Sequence, residues 1–442
     1  MTVLVAGAGI GGLTLALSLH QAGVPVKLFE SSAEIKPLGV GINLLPHAVR
    51  ELDELGLLAE LDRLGVRTAE LAYYSKRGQL IWSEARGEAA GYRWPQFSIH
   101  RGKLQMMLLA AARERLGAGA IVTGRHLDSW READGRVHAS FINKTAGDKK
   151  TGDKKTGDKK TGRPRDTVQG ALLIGADGIH SALRRSLYPD EGAPVWNGAI
   201  LWRGTARAKP YLTGRSMIMA GHEFQKFVAY PISAPEEDGK ATINFIAERK
   251  FAADHTWQRE DWNRPGDPAD FLPQFADWVF DWLDVPALIG AAEAVYEYPM
   301  VDRDPLPRWS EGRTTLLGDA AHAMYPIGSN GASQAILDAR VLTREILRHG
   351  MTPDALAAYE AERRPATARS VLANRENGPE QVMQRVETLA PDGFARIEDV
   401  LTPGELEETA RDYKRLAGFD KDTLNNRPAI VPATAPSHPA AS

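Results

Sequence analysis

The chain has 442 residues, with 54 Lys+Arg and 57 Asp+Glu, so its formal charge of −3 offers no global attraction to nucleic acid or anionic lipid. It contains no cysteine, which excludes disulfides, thiolate zinc sites and a cysteine nucleophile. The apolar start lacks a basic n-region and no apolar run is long enough to span a membrane, so we expect a cytoplasmic protein that binds neither membrane nor nucleic acid.

The first 30 residues predict a strand, a helix and a second strand. Residues 2–6 are a short β-branched run, residues 13–22 have helical apolar spacing, and residues 26–30 predict another strand. Such a βαβ unit is the opening of a dinucleotide-binding fold.

A glycine-rich turn, Gly7-Ala8-Gly9-Ile10-Gly11-Gly12, joins the first strand to the helix, and Glu30 ends the second strand. In this context the glycines let backbone N–H groups approach a pyrophosphate, and the acid can accept hydrogen bonds from ribose hydroxyls. The opening therefore predicts an adenine dinucleotide site, and it leaves NAD and FAD as alternatives.

The middle of the chain departs from the βαβ pattern. Residues 71–82 predict a β-hairpin, which we assign to a second domain. Residues 147–161 repeat Gly-Asp-Lys-Lys-Thr three times, and we expect an exposed loop over 147–166. Further predicted elements are a helix at 102–116, strands at 121–130, 136–142 and 167–175, an antiparallel sheet within 198–247, a Trp-rich helical region at 250–295, a strand at 314–317 and a helix at 332–348.

A second candidate site follows the predicted strand that ends at Leu317. Gly318-Asp319 leads into a loop with Pro326 and Gly328, and a helix begins near Asn330-Gly331-Ala332. The aspartate can hold a ribityl hydroxyl, and the helix N-terminus can stabilise negative charge on a reduced flavin ring. The residues alone also fit an ordinary strand–turn–helix, so they do not choose between FAD and NAD.

Three motifs in order carry a family resemblance: Gly7–Gly12 with Glu30, Gly175-Ala176-Asp177-Gly178, and Gly318-Asp319 with its loop. Over about residues 1–375 the chain resembles the single-component (group A) FAD-dependent aromatic hydroxylases of the p-hydroxybenzoate hydroxylase type. Four further segments resemble the phenazine-modifying members of that family: residues 35–42, 98–105, 228–233 and 298–307.

The resemblance implies an α/β fold, in which a Rossmann-type FAD-binding domain is joined to an α+β substrate domain built on an antiparallel sheet. The implied FAD-binding domain is discontinuous (1–70, 95–185 and 296–375), and the substrate domain comprises 71–94 and 186–295. We expect a C-terminal helical segment at 376–426 and a disordered tail at 427–442. The implied FAD contacts come from Gly7, Gly9, Gly11, Gly12, Glu30, Val40, Gly41, Arg101, Gln105, Leu127, Asp177, Asp319, Pro326, Gly328, Asn330, Gly331 and Ala332.

The family's chemistry implies that NAD(P)H reduces FAD, that O₂ then forms a flavin hydroperoxide, and that an aromatic ring attacks it. The implied substrate is an aromatic or N-heteroaromatic small molecule with a carboxylate, which is hydroxylated or oxidatively decarboxylated. On the inner face of the predicted sheet we select Arg203, Tyr230 and His222 as candidate catalytic residues, since an Arg can pair with a carboxylate. The alternative for Arg203 is a structural ion pair.

Other interpretations stay open at this point. A dehydrogenase using only a nicotinamide cofactor would explain Gly7–Gly12 but not the Gly318-Asp319 loop, and a flavin-binding sensor would bind FAD without monooxygenase activity. No His/Glu pair has a convincing metal spacing, so we predict no metal. His322 and the Trp residues at 257, 262, 278 and 282 are interpreted as structural. The oligomeric state is left open.

Overall fold

The computed structural model describes residues 1–143, 165–252, 255 and 264–432. The Gly-Asp-Lys-Lys-Thr repeat, Trp257, Trp262 and the tail from residue 433 lie outside the described residues. The helices are α1 (Ile10–Gln21), α2 (Pro46–Glu54), α3 (Leu58–Leu64), α4 (Arg101–Leu116), α5 (Ala182–Leu187), α6 (Val285–Gly290), α7 (Asp319–His322), α8 (Gly331–His349), α9 (Pro353–Arg375), α10 (Gln381–Leu389), α11 (Pro403–Leu416) and α12 (Lys421–Asn426). The strands are β1 (Val3–Ala6), β2 (Val26–Phe29), β3 (Gly41–Leu44), β4 (Val66–Arg67), β5 (Glu70–Tyr74), β6 (Leu80–Ala85), β7 (Phe97–His100), β8 (Ile121–Val122), β9 (Arg125–Ala133), β10 (Arg136–Asn143), β11 (Arg165–Gly170), β12 (Leu172–Gly175), β13 (Val195–Ala208), β14 (Ser216–His222), β15 (Gln225–Pro231), β16 (Ala241–Lys250), β17 (Val279–Phe280), β18 (Leu283–Asp284), β19 (Ala292–Asp302) and β20 (Thr314–Leu316).

A five-stranded parallel sheet, in the order β20-β12-β1-β2-β8, forms the core of the dinucleotide-binding part. Helix α1 packs against both α4 and α8. A parallel sheet covered by helices is buried on both faces, which explains the unbroken apolar run at residues 2–6. The carboxyl ends of β1, β12 and β20 lie at one edge, so the chain segments that follow them, at Gly7, Ala176 and Gly318, line one cavity or pack at its rim.

A seven-stranded sheet, in the order β19-β13-β16-β15-β14-β5-β6, forms the second layer. Its neighbouring strands are antiparallel except β14 and β5, which run parallel. The antiparallel sheet predicted within 198–247 is confirmed for β13, β16, β15 and β14, and the predicted hairpin of β5 and β6 joins this sheet through the parallel pair β14–β5. Two smaller three-stranded sheets, β11-β10-β9 and β3-β7-β4, complete the described sheet structure around the site.

The two faces of the seven-stranded sheet have different partners. One face packs on an aromatic cluster that includes Phe271, Phe275 and Trp278. The other face carries Met219 and Tyr230, faces the cavity, and is partly covered by α10 of the C-terminal segment. The cavity therefore lies between the seven-stranded sheet and the edge of the parallel sheet.

The described part of the region 250–295 differs from its predicted helical structure. It contains short 3₁₀ turns, the two-stranded pair β17–β18 and the six-residue helix α6. Trp278 and Trp282 have helical spacing, but Trp278 precedes β17 and Trp282 lies in the turn between β17 and β18, where both contact Phe280. The prediction that they are core residues agrees with the burial of Trp278, which is 4% exposed.

Two predicted boundaries also need correction. Strand β19 belongs to the seven-stranded sheet, so the boundary predicted at residue 296 falls inside a strand. The tail is not disordered over 427–432, because Ile430 and Val431 are buried against the core and Arg427 pairs with Glu51 at 2.6 Å. Among the described helices, none combines the length and apolar character that a membrane span requires.

Candidate active site

A cavity of about 1050 Å³ lies between the two large sheets. At one end it meets the glycine-rich turn after β1, and at the other it meets the inner face of the seven-stranded sheet. Most of the residues selected from the sequence line it: Gly7, Gly9, Gly11, Glu30, Gly41, Arg101, Gln105, Leu127, Asp177, Arg203, Tyr230, Asp319, Pro326, Asn330, Gly331 and Ala332. The sequence thus selected residues from distant parts of the chain that the fold brings together.

The turn before α1 has the geometry of a phosphate cradle. Gly7 has φ +107°, and a Cβ there would lie 2.3 Å from the Ala176 carbonyl oxygen. A Cβ on Gly12 would lie 2.0 Å from the Gly7 oxygen, so Gly12 permits close packing and does not itself line the cavity. Gly9 has no atom within 4 Å of a Cβ position, which leaves the helix N-terminus open to a ligand.

Glu30 is fixed by the same turn. Its Oε2 accepts a hydrogen bond from Ala8 N at 2.9 Å, and its Oε1 accepts one from Ser32 N at 2.7 Å. Gln105 Nε2 donates to the Ala8 carbonyl oxygen at 2.8 Å. The carboxylate is therefore held beside the glycine turn, in a position to accept hydrogen bonds from a ribose.

The Gly318-Asp319 motif places an exposed carboxylate on the cavity wall. Asp319 begins α7 directly after Gly318, whose φ is +62°. Gly318 N donates to Asp338 Oδ2 at 3.1 Å, and the same carboxylate contacts His322 Nε2 at 2.6 Å and Arg363 Nε at 2.7 Å. Burial alone would raise the pKa of Asp338, but His322 and Arg363 lower it to about 2. His322 thus supports the Gly318-Asp319 turn from behind and does not line the cavity.

The loop from Pro326 to Ala332 turns sharply before α8 begins. Gly328 has φ +68° and does not line the cavity, whereas Ser329 does and has φ +54°, which is unfavourable for a residue with a side chain. Asn330 is fully buried at the start of α8. This strained turn directs the N-terminus of α8 at the cavity, where it can stabilise negative charge.

Gly41 connects the dinucleotide-binding part to the seven-stranded sheet. Gly41 N donates to Asn244 Oδ1 at 2.7 Å, and its carbonyl accepts from Arg203 Nη2 at 2.8 Å. A Cβ at this position would lie 2.7 Å from Asn244 and 2.8 Å from Tyr230. Its neighbour Val40 is buried and does not line the cavity.

The inner face of the seven-stranded sheet is apolar around Arg203 and Tyr230. Burial raises the pKa of Tyr230 to about 12, even though the Arg203 guanidinium acts in the opposite direction. Arg203 Nε is buried and has no hydrogen-bond partner among the described residues. The surrounding wall is formed by Leu201, Met217, Met219, Val228, Ile246 and Met300.

His222 is the one predicted catalytic residue that the structure places elsewhere. It ends β14, where its Nδ1 accepts from Phe224 N at 3.3 Å in the turn to β15. It does not line the cavity. The sequence predicted His222 on the inner face of the sheet, but it did not show that this end of the strand lies outside the site.

The cavity wall also contains a charged cluster that was not predicted from the sequence. Lys226 on β15, Glu248 on β16 and Glu380 before α10 form a buried charged cluster. Lys226 could have been found, because the period of two along β15 places it on the same face as Tyr230. Glu380 could not be found, because no sequence motif marks it and it lies in the C-terminal segment, to which no role was assigned.

These features fit an FAD: a glycine turn for the pyrophosphate, Glu30 for a ribose, Asp319 for the ribityl chain and the α8 N-terminus for the ring.

Residues 1–196 and 287–374 match the model of a family described as an FAD binding domain. The chain is 45% identical to the phenazine 1,6-dicarboxylic acid hydroxylase PhzS of Lysobacter antibioticus, over 85% of this chain and 89% of that protein. It is 31% identical to the 3-amino-4-hydroxybenzoate 2-monooxygenase PtnB3 of Streptomyces platensis, over 96% and 98% of the two chains. The fold is shared with a salicylate hydroxylase substrate complex, at a TM-score of 0.70 and 23% identity, covering 99% of both chains. The chain therefore belongs to the FAD-dependent aromatic hydroxylases, a family of flavoprotein monooxygenases.

Proposed function

We propose that this enzyme uses NAD(P)H and O₂ to hydroxylate, or oxidatively decarboxylate, an aromatic or N-heteroaromatic carboxylate bound against the seven-stranded sheet. The observation that carries the proposal is Arg203, a guanidinium surrounded by apolar side chains such as Leu201 and Met300, whose buried Nε lacks a partner among the described residues. A guanidinium whose Nε is buried, and which has no ion-pair partner among the described residues, favours an anionic ligand. The carboxylated substrates named for PhzS and PtnB3 agree with such a ligand.

We also propose that the cofactor residues predicted from the sequence hold the FAD, except that Gly12, Val40 and Gly328 act through packing and backbone geometry. When bound, FAD supplies the electron transfer from NAD(P)H and the activation of O₂. The chain's own residues bind and orient the substrate and keep water away from the reacting atoms. The absence of cysteine and the use of NAD(P)H support a cytoplasmic location.

Arg203 and Tyr230 have different roles in this proposal. Arg203 binds the substrate carboxylate. It also donates a hydrogen bond to the Gly41 carbonyl oxygen, which positions the guanidinium relative to the segment beside the flavin site. Tyr230 is protonated at neutral pH, as an ordinary tyrosine is, and burial raises its pKa further, to about 12, so its hydroxyl can donate a hydrogen bond to a ring oxygen or nitrogen. Met217, Met219 and Val228 provide the apolar surface against which an aromatic ring packs.

The test replaces Arg203 and compares a carboxylate with its matched carboxamide. Arg203→Met is expected to weaken binding of the carboxylate by about ten- to a hundredfold, since a charged hydrogen bond is worth about 1.5–3 kcal/mol. Binding of the carboxamide should change much less, and FAD should be retained. Affinity is measured from the perturbation of the flavin absorbance.

The matched control is Arg207→Met on the same strand, because Arg207 is a partly exposed residue that pairs with Glu236 and Asp238 and does not line the cavity. It should leave the affinities for both ligands unchanged. Equal losses of carboxylate and carboxamide binding in Arg203→Met would show that Arg203 only maintains the structure of the site.

A further inference from the structure

The cluster of Lys226, Glu248 and Glu380 forms part of the cavity wall. Lys226 and Glu248 are paired across β15 and β16, and Lys226 Nζ lies 3.0 Å from Glu248 Oε2. The same ammonium lies 2.5 Å from Glu380 Oε2. The three side chains are 8%, 9% and 5% exposed, so the cluster is nearly closed to bulk solvent.

The cluster has one cation and two carboxyls. With both carboxyls ionised it has a net negative charge, and with one proton bound it is neutral. Burial raises the pKa of Glu248, and Glu380 raises it as well, while Lys226 opposes both. Lys250, which also acts on Glu248, is itself paired with Glu223. The cluster therefore has no surplus positive charge to offer a ligand.

The cavity consequently has two different ends along the sheet. Lys226, Val228 and Tyr230 alternate on one face of β15, and the Cα atoms of Lys226 and Tyr230 are about 13 Å apart for an extended strand. Tyr230 lies beside Arg203, the cationic group of the proposed carboxylate site. An aromatic ligand that spans this wall would meet a guanidinium at one end and, at the other, two carboxyl groups that share one ammonium.

We propose that Lys226, Glu248 and Glu380 determine specificity, by accepting a substrate edge that carries a hydrogen-bond donor and rejecting a second carboxylate. This inference rests on the proposed function of the same cavity. Like charges placed together in a desolvated site repel each other strongly, whereas a donor such as a hydroxyl or an amine completes the carboxyl hydrogen bonds. The substrate is then a monocarboxylate, with its anionic group at Arg203.

The competing explanation is structural. Glu380 precedes α10, beyond residue 374, where the match to the FAD-binding family ends, so its bond to Lys226 could serve only to attach the C-terminal segment. An attachment role predicts that loss of Glu380 lowers stability and affects all substrates equally. A specificity role predicts a change in the ratio of affinities for ligands that differ in charge.

The experiment compares phenazine-1-carboxylate with phenazine-1,6-dicarboxylate on the FAD-loaded enzyme, and it measures both dissociation constants from the flavin absorbance. The wild type is expected to bind the monocarboxylate at least about tenfold more tightly. Glu380→Gln and Glu248→Gln should each move this ratio towards one. Glu223→Gln is the matched control, because Glu223 forms an ion pair with Lys250 near the same strands but does not line the cavity.

Three results would overturn the proposal. They are equal or tighter binding of the dicarboxylate by the wild type, a ratio that neither glutamine variant changes, and a ratio that Glu223→Gln changes as much as the cavity variants do. The first result needs no variant, so a variant that fails to fold does not prevent a decision. If neither these two carboxylates nor simple aromatic carboxylates bind to the wild type, the proposed function itself fails, and this inference fails with it.

Discussion

Asp319 is the single side chain that most directly connects the sequence motif to the cofactor. It is exposed to the cavity at the first position of α7, while its neighbours Ala320 and Ala321 are buried. We predict that Asp319→Ala loses most of its FAD on purification, with an affinity lowered by at least about tenfold, because one charged hydrogen bond is removed. The measurement is flavin absorbance per protein, with Asp354→Ala, an exposed position at the start of α9, as the control. Full FAD content in Asp319→Ala would remove this residue from the cofactor site.

The residues that could be predicted from the sequence are those with a local signature. Gly7, Glu30 and Asp319 each follow a buried strand, so a short window of sequence shows both the residue and its position at the sheet edge. Glu380 could not be found in this way, because its hydrogen bond to Lys226 joins positions 154 residues apart. His222 was misplaced because a strand pattern gives the alternation of side chains but not which end of the strand reaches the cavity.

At the scale of elements, the Gly318-Asp319 turn depends on α8 and α9. Asp338 on α8 holds Gly318 N, His322 and Arg363, so one buried carboxylate ties the turn to both helices. The sequence predicted α8 from its apolar spacing, but it could not show this bond network, which joins the turn to a residue on a later helix. The region around Trp278 and Trp282 was wrongly predicted as helical. The two tryptophans are four residues apart, as on one face of a helix, but they lie at a two-stranded hairpin.

We predict that Asp338→Asn destabilises the protein by roughly 3–5 kcal/mol, because it leaves the buried Arg363 without its carboxylate partner. FAD affinity should fall as well, since the turn that carries Asp319 loses its anchor. Thermal unfolding and FAD titration measure the two effects. Glu362→Gln, which removes a partly exposed pair with Arg344, is the control and should change stability by less than about 1 kcal/mol. Unchanged FAD affinity in a folded Asp338→Asn would show that the turn keeps its shape without this bond.

At the scale of the whole molecule, the C-terminal segment packs on both other parts. Val382, Met383 and Val386 pack under the seven-stranded sheet. Phe419 stacks on His47 of α2, with ring centroids 5.3 Å apart. The sequence predicted helices in this segment but not its role, because packing between distant segments leaves no periodic signal. The segment thus contributes to the core and, through Glu380, to the cavity wall.

His47 makes this packing sensitive to pH. Burial, followed by the positive charges of Arg427 and Arg363, lowers the pKa of His47 from 6.5 to about 3. The unfolded chain binds a proton at His47 near pH 6.5, whereas the folded chain binds it only near pH 3. Buried neutral His47 therefore costs no stability above about pH 7, and the free energy of unfolding declines as the pH falls from 6.5 towards 3. At pH 5 the expected loss is roughly 2 kcal/mol. Urea unfolding of the wild type and of His47→Gln at pH 5 and pH 8 measures it, with His349→Gln, a half-exposed histidine, as the control. Identical pH dependence in the wild type and in His47→Gln would contradict this assignment.

The measurement that tests the central claim most directly is NAD(P)H oxidation under ¹⁸O₂ with a panel of aromatic and N-heteroaromatic carboxylates. We predict that at least one carboxylate stimulates oxidation by the FAD-loaded enzyme and yields an aromatic product with one ¹⁸O atom, either added to the ring or in place of the carboxylate. NAD(P)H oxidation that produces an equal amount of hydrogen peroxide and leaves every aromatic compound unlabelled would contradict the account.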